Sequence, residues 1–168
     1  KRFRSDRLRP MPQSATDRQP EIRPQRALKE SNMVSISTTY EGRLHCQATH
    51  GPSGSKLTTD APVDNHGKGE TFSPTDLVAT AFGACMLTIM GIVADRHGID
   101  LNGMTAETEK VMSTTPPRRI ATLNTRITLP LPPDHPHRDL LERAAHTCPV
   151  HESLHPEIDK TVEFNWAG

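Results

Sequence analysis

A chain of 168 residues with 20 basic and 20 acidic side chains has the length of one domain and a formal charge of zero. That balance excludes a strongly basic protein built to grip nucleic acid or an anionic membrane surface. Three cysteines, an odd number, and no apolar secretory segment at the N-terminus exclude the disulfide framework of a small secreted domain. They point instead to a cytoplasmic chain whose cysteines are buried, catalytic or metal-bound.

The charge is unevenly spread, nine basic and four acidic residues in 1–32 against 11 and 16 in the remainder. Residues 1–32 also hold four prolines, one aromatic residue and no apolar periodicity, and read as an extended or disordered arm. Asp6, Asp17, Glu21 and Glu30 argue against an Arg-rich transit peptide. Met33 reads as a natural start of the folded part, 33–168. There, Val34 to Tyr40 alternates β-branched and polar residues as a strand, Glu41-Gly42 marks a turn, and Arg43 to Thr49 makes a second strand. His50 to Gly54 is a breaker cluster, Lys56 to Thr59 a third short strand, and Ala61 to Phe72 a polar loop.

The next stretch dominates the chain. Ser73 is a good N-cap, Pro74 suits the first helical position, Asp76 complements the dipole, and Gly98 supplies the stop. Between them the residues are apolar on nearly every face, which predicts a helix buried all round. At 1.5 Å per residue it is about 36 Å long. Thr80, Gly83, Thr88 and Gly91 dilute the run and disfavour a membrane span. Covering such a helix with 136 residues, in a chain that has six aromatic side chains altogether, calls for a second copy of the chain. Beyond Gly98, Met104 to Ser113 and Arg119 to Leu129 read as strands separated by a Pro-Pro turn. Arg138 to Thr147 is an amphipathic helix, Cys148-Pro149 interrupts it, Val150 to His155 gives one further turn, and Lys160 to Trp166 is a last strand. The order is α+β, antiparallel hairpins packed on a central helix.

Four features carry potential chemistry. Cys85, in the middle of the long helix, reads as a small buried residue when taken alone. Cys148 sits at a helix junction, where a thiol ionises more readily. Together they make a pair in which one thiol attacks a peroxide and the other resolves it. His151-Glu-Ser-Leu-His155 matches a zinc-binding motif that needs both imidazoles on one helical face. Pro149 and Pro156 bracket it too closely for that, and His146, Cys148 and His137 are unordered candidates for further ligands, so it reads as a surface turn. Arg43, Lys68, Glu70 and Asp76 are charges able to tune a thiol, each otherwise a solvated surface group.

FSPTDLVATAFGACMLTIMG followed later by HTCPVHESLHPEI resembles the OsmC-like proteins, the osmotically inducible and organic hydroperoxide resistance group. The resemblance runs from about Val34 to Trp166. It implies an α+β fold with antiparallel sheets around two central helices, and an intertwined homodimer with active sites at the subunit interface. It implies a peroxidatic Cys85, a resolving Cys148 and an activating arginine on the N-terminal hairpin, for which Arg43 is the candidate and Lys68 the alternative. The implied substrate is an organic hydroperoxide, favoured over hydrogen peroxide by the apolar wall of Phe82, Met86, Leu87 and Ile89, and the implied reductant a dithiol. No cofactor, metal, nucleic acid or membrane is called for. The family's glutamate at the helix start is missing. Thr75 stands ten residues before Cys85 and the carboxylate is next door at Asp76, about 100° around the helix. The chain therefore looks closer to a less characterised branch. Two other readings stand beside the peroxidase: a non-enzymatic dimer binding apolar ligands, and a zinc protein using the His151–His155 segment.

Overall fold

The computed structural model describes residues 33–168, and the arm expected at 1–32 lies outside the described residues. The elements run β1 (Ile36–Gly42), β2 (His45–His50), β3 (Lys56–Asp60), a 3-10 turn (Val63–Asn65), α1 (Pro74–His97), β4 (Thr105–Met112), β5 (Ile120–Leu129), α2 (Arg138–His146), α3 (Pro149–Ser153) and β6 (Asp159–Trp166). The strands form two three-stranded sheets, β1-β2-β3 and β4-β5-β6. This is the α+β class expected.

The first hairpin turns two residues later than Glu41-Gly42. Arg43 and Leu44 both adopt left-handed backbone, φ 52° and 65°, the geometry of a tight turn whose twist matches the strands. The register shifts between Tyr40 and Gly42, and the Tyr40 hydroxyl accepts a hydrogen bond from the Leu44 N–H at 3.2 Å. A turn without asparagine or glycine at its centre leaves little trace in the sequence. Its consequence is that Arg43 sits on the turn rather than in a strand.

One pairing departs from the antiparallel expectation: β5 and β6 run parallel. Between them the chain crosses through α2 and α3, and this helical crossover carries it back to the end of the sheet where β5 began.

The start of α1 is built as expected. Ser73 Oγ accepts the Asp76 N–H at 3.2 Å, and Asp76 Oδ2 accepts the Ser73 N–H at 2.7 Å, a reciprocal cap. Gly98, at φ 66°, ends it. One side of α1 rests on β4, close enough that a Cβ on Gly83 would lie 3.1 Å from Thr108 Oγ1. Another side packs on α2 and α3. Phe82, Met86 and Met90 are sealed there with Leu123, Ile127, Leu129, Leu141 and Cys148.

The expectation of burial all round does not hold within one chain. Thr80, Ala81, Ala84, Thr88 and Ile92 are exposed, a stripe at helical spacing. By length and composition α1 could cross a membrane, yet its other faces pack on protein here. The first sheet is equally uncovered. In β1, β2 and β3 only Asp60 is buried, while Tyr40, Leu44, Leu57 and Phe72 are exposed.

Candidate active site

The site begins with the way the second helix breaks. Buried Ala144 and Ala145 hold α2 against the core, and Pro149 then starts a new one-turn helix. Cys148 between them becomes the N-cap of α3: its Sγ accepts the His151 N–H at 3.3 Å. The residue is fully buried. Cys85 lies on α1, one turn beyond Phe82, where the core-facing side of the helix meets the exposed stripe. It is half-buried.

The structure brings these two thiols together. Cys85 stands beside Cys148, whose thiol is raised above the ordinary range. Burial is the main cause, and the neighbouring Cys85 thiol adds to it; the His151 N–H pulls the other way. Cys148 is thus held as a neutral, sealed thiol beside a partner that solvent reaches. The expectation of easier ionisation at a helix junction is overridden by desolvation. Cys46, the third cysteine, lies on β2 opposite Tyr40 and Thr59.

The charged candidates lie elsewhere within the chain. Arg43 is exposed on its turn and lines a polar cavity with Glu41, His45, Asp60, Lys68 and Glu70; neither Cys85 nor Cys148 belongs to it. Lys68 pairs with Glu70 at 3.5 Å, both well exposed. Asp76 serves the helix cap and accepts a hydrogen bond from Lys110, whose Nζ also reaches Thr75 Oγ1 at 2.8 Å. The position that departs from the family pattern is thereby occupied by a lysine contact. Lys110 was missed in the sequence, although the alternation of β4 puts it on the inward face with Ala106 and Thr108.

The histidine motif does not form a metal-binding face. α3 ends at Ser153, Leu154 is extended, and His155 falls outside the helix. No group of three side chains placed to hold a metal ion occurs among the described residues.

Asp76 offers a pH test of the helix start. Burial alone would raise its carboxyl, but hydrogen bonds from Lys110 and Ser73 outweigh that and hold it below the usual range. A carboxyl depressed in the folded state contributes stability above its unfolded value, near pH 4, and loses it as the pH falls further. Asp76→Asn is expected to lower the melting temperature at pH 6, with the difference from wild type shrinking as the pH drops toward 3. A constant difference at every pH overturns this account.

Residues 67–163 match the model of the family described as OsmC-like protein. A comparison with curated proteins returns no match. Among solved structures, a protein of Psychrobacter arcticus 273-4, described as belonging to the osmotic stress induced and detoxification response, is 45% identical, with a TM-score of 0.75 over 79% of this chain and 96% of that one. An organic hydroperoxide resistance protein OsmC of Legionella pneumophila is 18% identical with a TM-score of 0.65, covering 79% of this chain and 96% of its own. An organic hydroperoxide resistance protein of Elizabethkingia anophelis is 14% identical with the same TM-score, covering 80% and 96%. The last two share the fold. The family match spans both cysteines and most of the elements that hold them, and with the identity to the Psychrobacter protein it establishes that this chain belongs to the OsmC-like family.

Proposed function

We propose that the protein is a thiol-dependent peroxidase that reduces organic hydroperoxides through Cys85 and Cys148, acting as a homodimer in the cytoplasm. The observation that carries this reading is the neighbouring pair of thiols, one half-buried and the other sealed. Fold relatives described as organic hydroperoxide resistance proteins support the substrate class.

In this reading Cys85 ionises and attacks the O–O bond of the peroxide. The S–O bond forms as the O–O bond breaks, and the alkoxide takes a proton to leave as alcohol. Cys85 is left as a sulfenic acid. Cys148 attacks that sulfur, the S–O bond breaks, and water leaves as the disulfide closes. A dithiol reductant then restores both thiols by exchange. Phe82, Met86, Leu87 and Ile89 around the attacking residue favour an alkyl chain over bare hydrogen peroxide. Arg43 is the cation proposed to activate Cys85. In this reading it acts across a subunit interface, which the exposure of the β1–β2 turn in its own chain supports.

The test is direct. Purified protein with excess dithiol and cumene hydroperoxide is expected to oxidise one dithiol, that is two thiol groups, for each peroxide consumed, faster than with hydrogen peroxide. Absence of peroxide-dependent thiol consumption removes the enzyme reading. One observation favours the ligand-binding alternative: a mainly apolar cavity of about 350 Å³ lined by Tyr40, Leu44, Cys46, Pro62 and Met112. A dimer that takes up apolar molecules there and consumes no thiol would be that protein.

A further inference from the structure

The thiol scheme uses one residue of the α2–α3 junction, Cys148, and leaves the junction's histidines without a task. His151 is the one whose surroundings require explanation. Its ring stacks on Phe82, with centroids 5.7 Å apart and planes 24° apart, and Phe82 lies one turn before Cys85. Its backbone N–H is bonded to Cys148 Sγ at 3.3 Å. Its Nδ1 is sealed from solvent and has no hydrogen-bond partner; the Glu152 carboxylate stands 3.5 Å away without the alignment of a hydrogen bond. The side chain as a whole is 21% exposed, so the ring has one dry nitrogen while another part meets solvent. An unpartnered polar atom in the interior costs about 1–3 kcal/mol, and native proteins keep few of them.

We propose that the His151 imidazole is the proton acceptor for Cys148 when that thiol attacks an oxidised Cys85. The inference rests on the peroxidase reading for its biological purpose, though not for its chemistry. At rest Cys148 is a sealed neutral thiol, and no carboxylate is bonded to it to take its proton. As Cys148 attacks, its S–H bond breaks and the proton passes to the imidazole. The new S–S bond forms as the S–O bond of the Cys85 sulfenic acid breaks, and the departing hydroxyl takes the same proton and leaves as water. Nothing external is oxidised or reduced in this step. Glu152 lies where it balances the transient imidazolium. The ionisable groups around His151 are Cys148, bonded to its backbone N–H, Glu152 beside its Nδ1, and His146 from α2, whose ring meets that of His151 edge-on at 6.1 Å; Cys85 of α1 stands beyond them, next to Cys148. The strand β6 adds the ring of Phe164, against His146.

The experiment avoids peroxide altogether. In a Cys46→Ser background, an aromatic disulfide reagent places one thionitrobenzoate on the accessible Cys85. Attack by Cys148 then releases a coloured thionitrobenzoate anion that needs no proton, so the release rate isolates the step in which Cys148 gives up its own. Protein with His151 is expected to show a release rate that bends between about pH 5 and 8, where an imidazole titrates. His151→Gln is expected to lose that bend, to release at least about 100-fold more slowly at pH 7, and to recover as the pH rises. Equal rates in both proteins, or a slowing by the same factor at every pH, overturn the proposal, the second outcome marking a packing role only. Should His151→Gln fail to fold, a release profile of the parent without the bend overturns it equally. The peroxidase reading fails separately, through absence of peroxide-dependent turnover in protein that still releases the anion normally.

Discussion

Cys85→Ser is expected to abolish reduction of an organic hydroperoxide by a dithiol, because a serine hydroxyl in the same place neither ionises at neutral pH nor attacks an O–O bond. Cys148→Ser gives a different result: one turnover still occurs, and Cys85 remains as a sulfenic acid that a dimedone-type reagent traps. The asymmetry follows from burial. Peroxide reaches the half-exposed Cys85 and cannot reach Cys148, which is fully sealed. Cys46→Ser is nearly silent, since that thiol lies on β2 outside the pair. Arg43→Ala slows the first step without preventing it. These outcomes are read by mass spectrometry of the oxidised protein together with peroxide consumption. A Cys85→Ser protein that keeps full activity, or a Cys148→Ser protein that neither turns over once nor traps, ends the peroxidase reading.

Much of this arrangement is legible in the sequence, and the illegible parts have identifiable causes. The α1 helix announces itself through Ser73, Pro74, Asp76 and Gly98, because caps act locally and the unsatisfied groups of a helix end have few remedies. The break at Cys148-Pro149 is legible for the same reason. The first turn is not: its left-handed residues are Arg43 and Leu44, and the Tyr40 hydroxyl that supports them comes from a neighbouring strand position. The parallel pairing of β6 depends on where a crossover lands, and strand alternation is blind to direction. At the site, the two cysteines stand out by type, whereas their proximity comes from tertiary packing. Lys110 was hidden because a lysine in a strand reads as solvated until its partners, Thr75 and Asp76 on another element, are known. His151 was noticed as half of a zinc motif, while its distinguishing property, a sealed and unpartnered nitrogen, exists only in the fold.

The second large effect concerns the uncovered stripe of α1. Ala84 is exposed in the single chain, on the same face as Ala81 and Thr88. Glutamate there is a good helix former and is harmless to an isolated chain. If a second copy covers the stripe, the same side chain places an unpaired charge in an apolar interface, at a cost of several kcal/mol. Light scattering is therefore expected to find the wild type as a dimer at micromolar concentration. Its interface should bury more than about 2,000 Å² in total, the range of permanent assemblies. Ala84→Glu is expected to weaken it at least about 100-fold, which at 1.4 kcal/mol per tenfold is about 3 kcal/mol. Thr114→Glu, in the exposed turn before β5, is the control and leaves the dimer intact. Because the exposed edge of Cys85 borders this stripe and Arg43 has no thiol in its own cavity, losing the dimer is also expected to reduce peroxide turnover, though each chain keeps both cysteines. A wild type that is a folded monomer at micromolar concentration, or an Ala84→Glu protein that dimerises normally, removes the interface from this face of α1. In the first case the exposed turn bearing Arg43 has no route to a thiol, and activation of Cys85 falls to a group within the same chain.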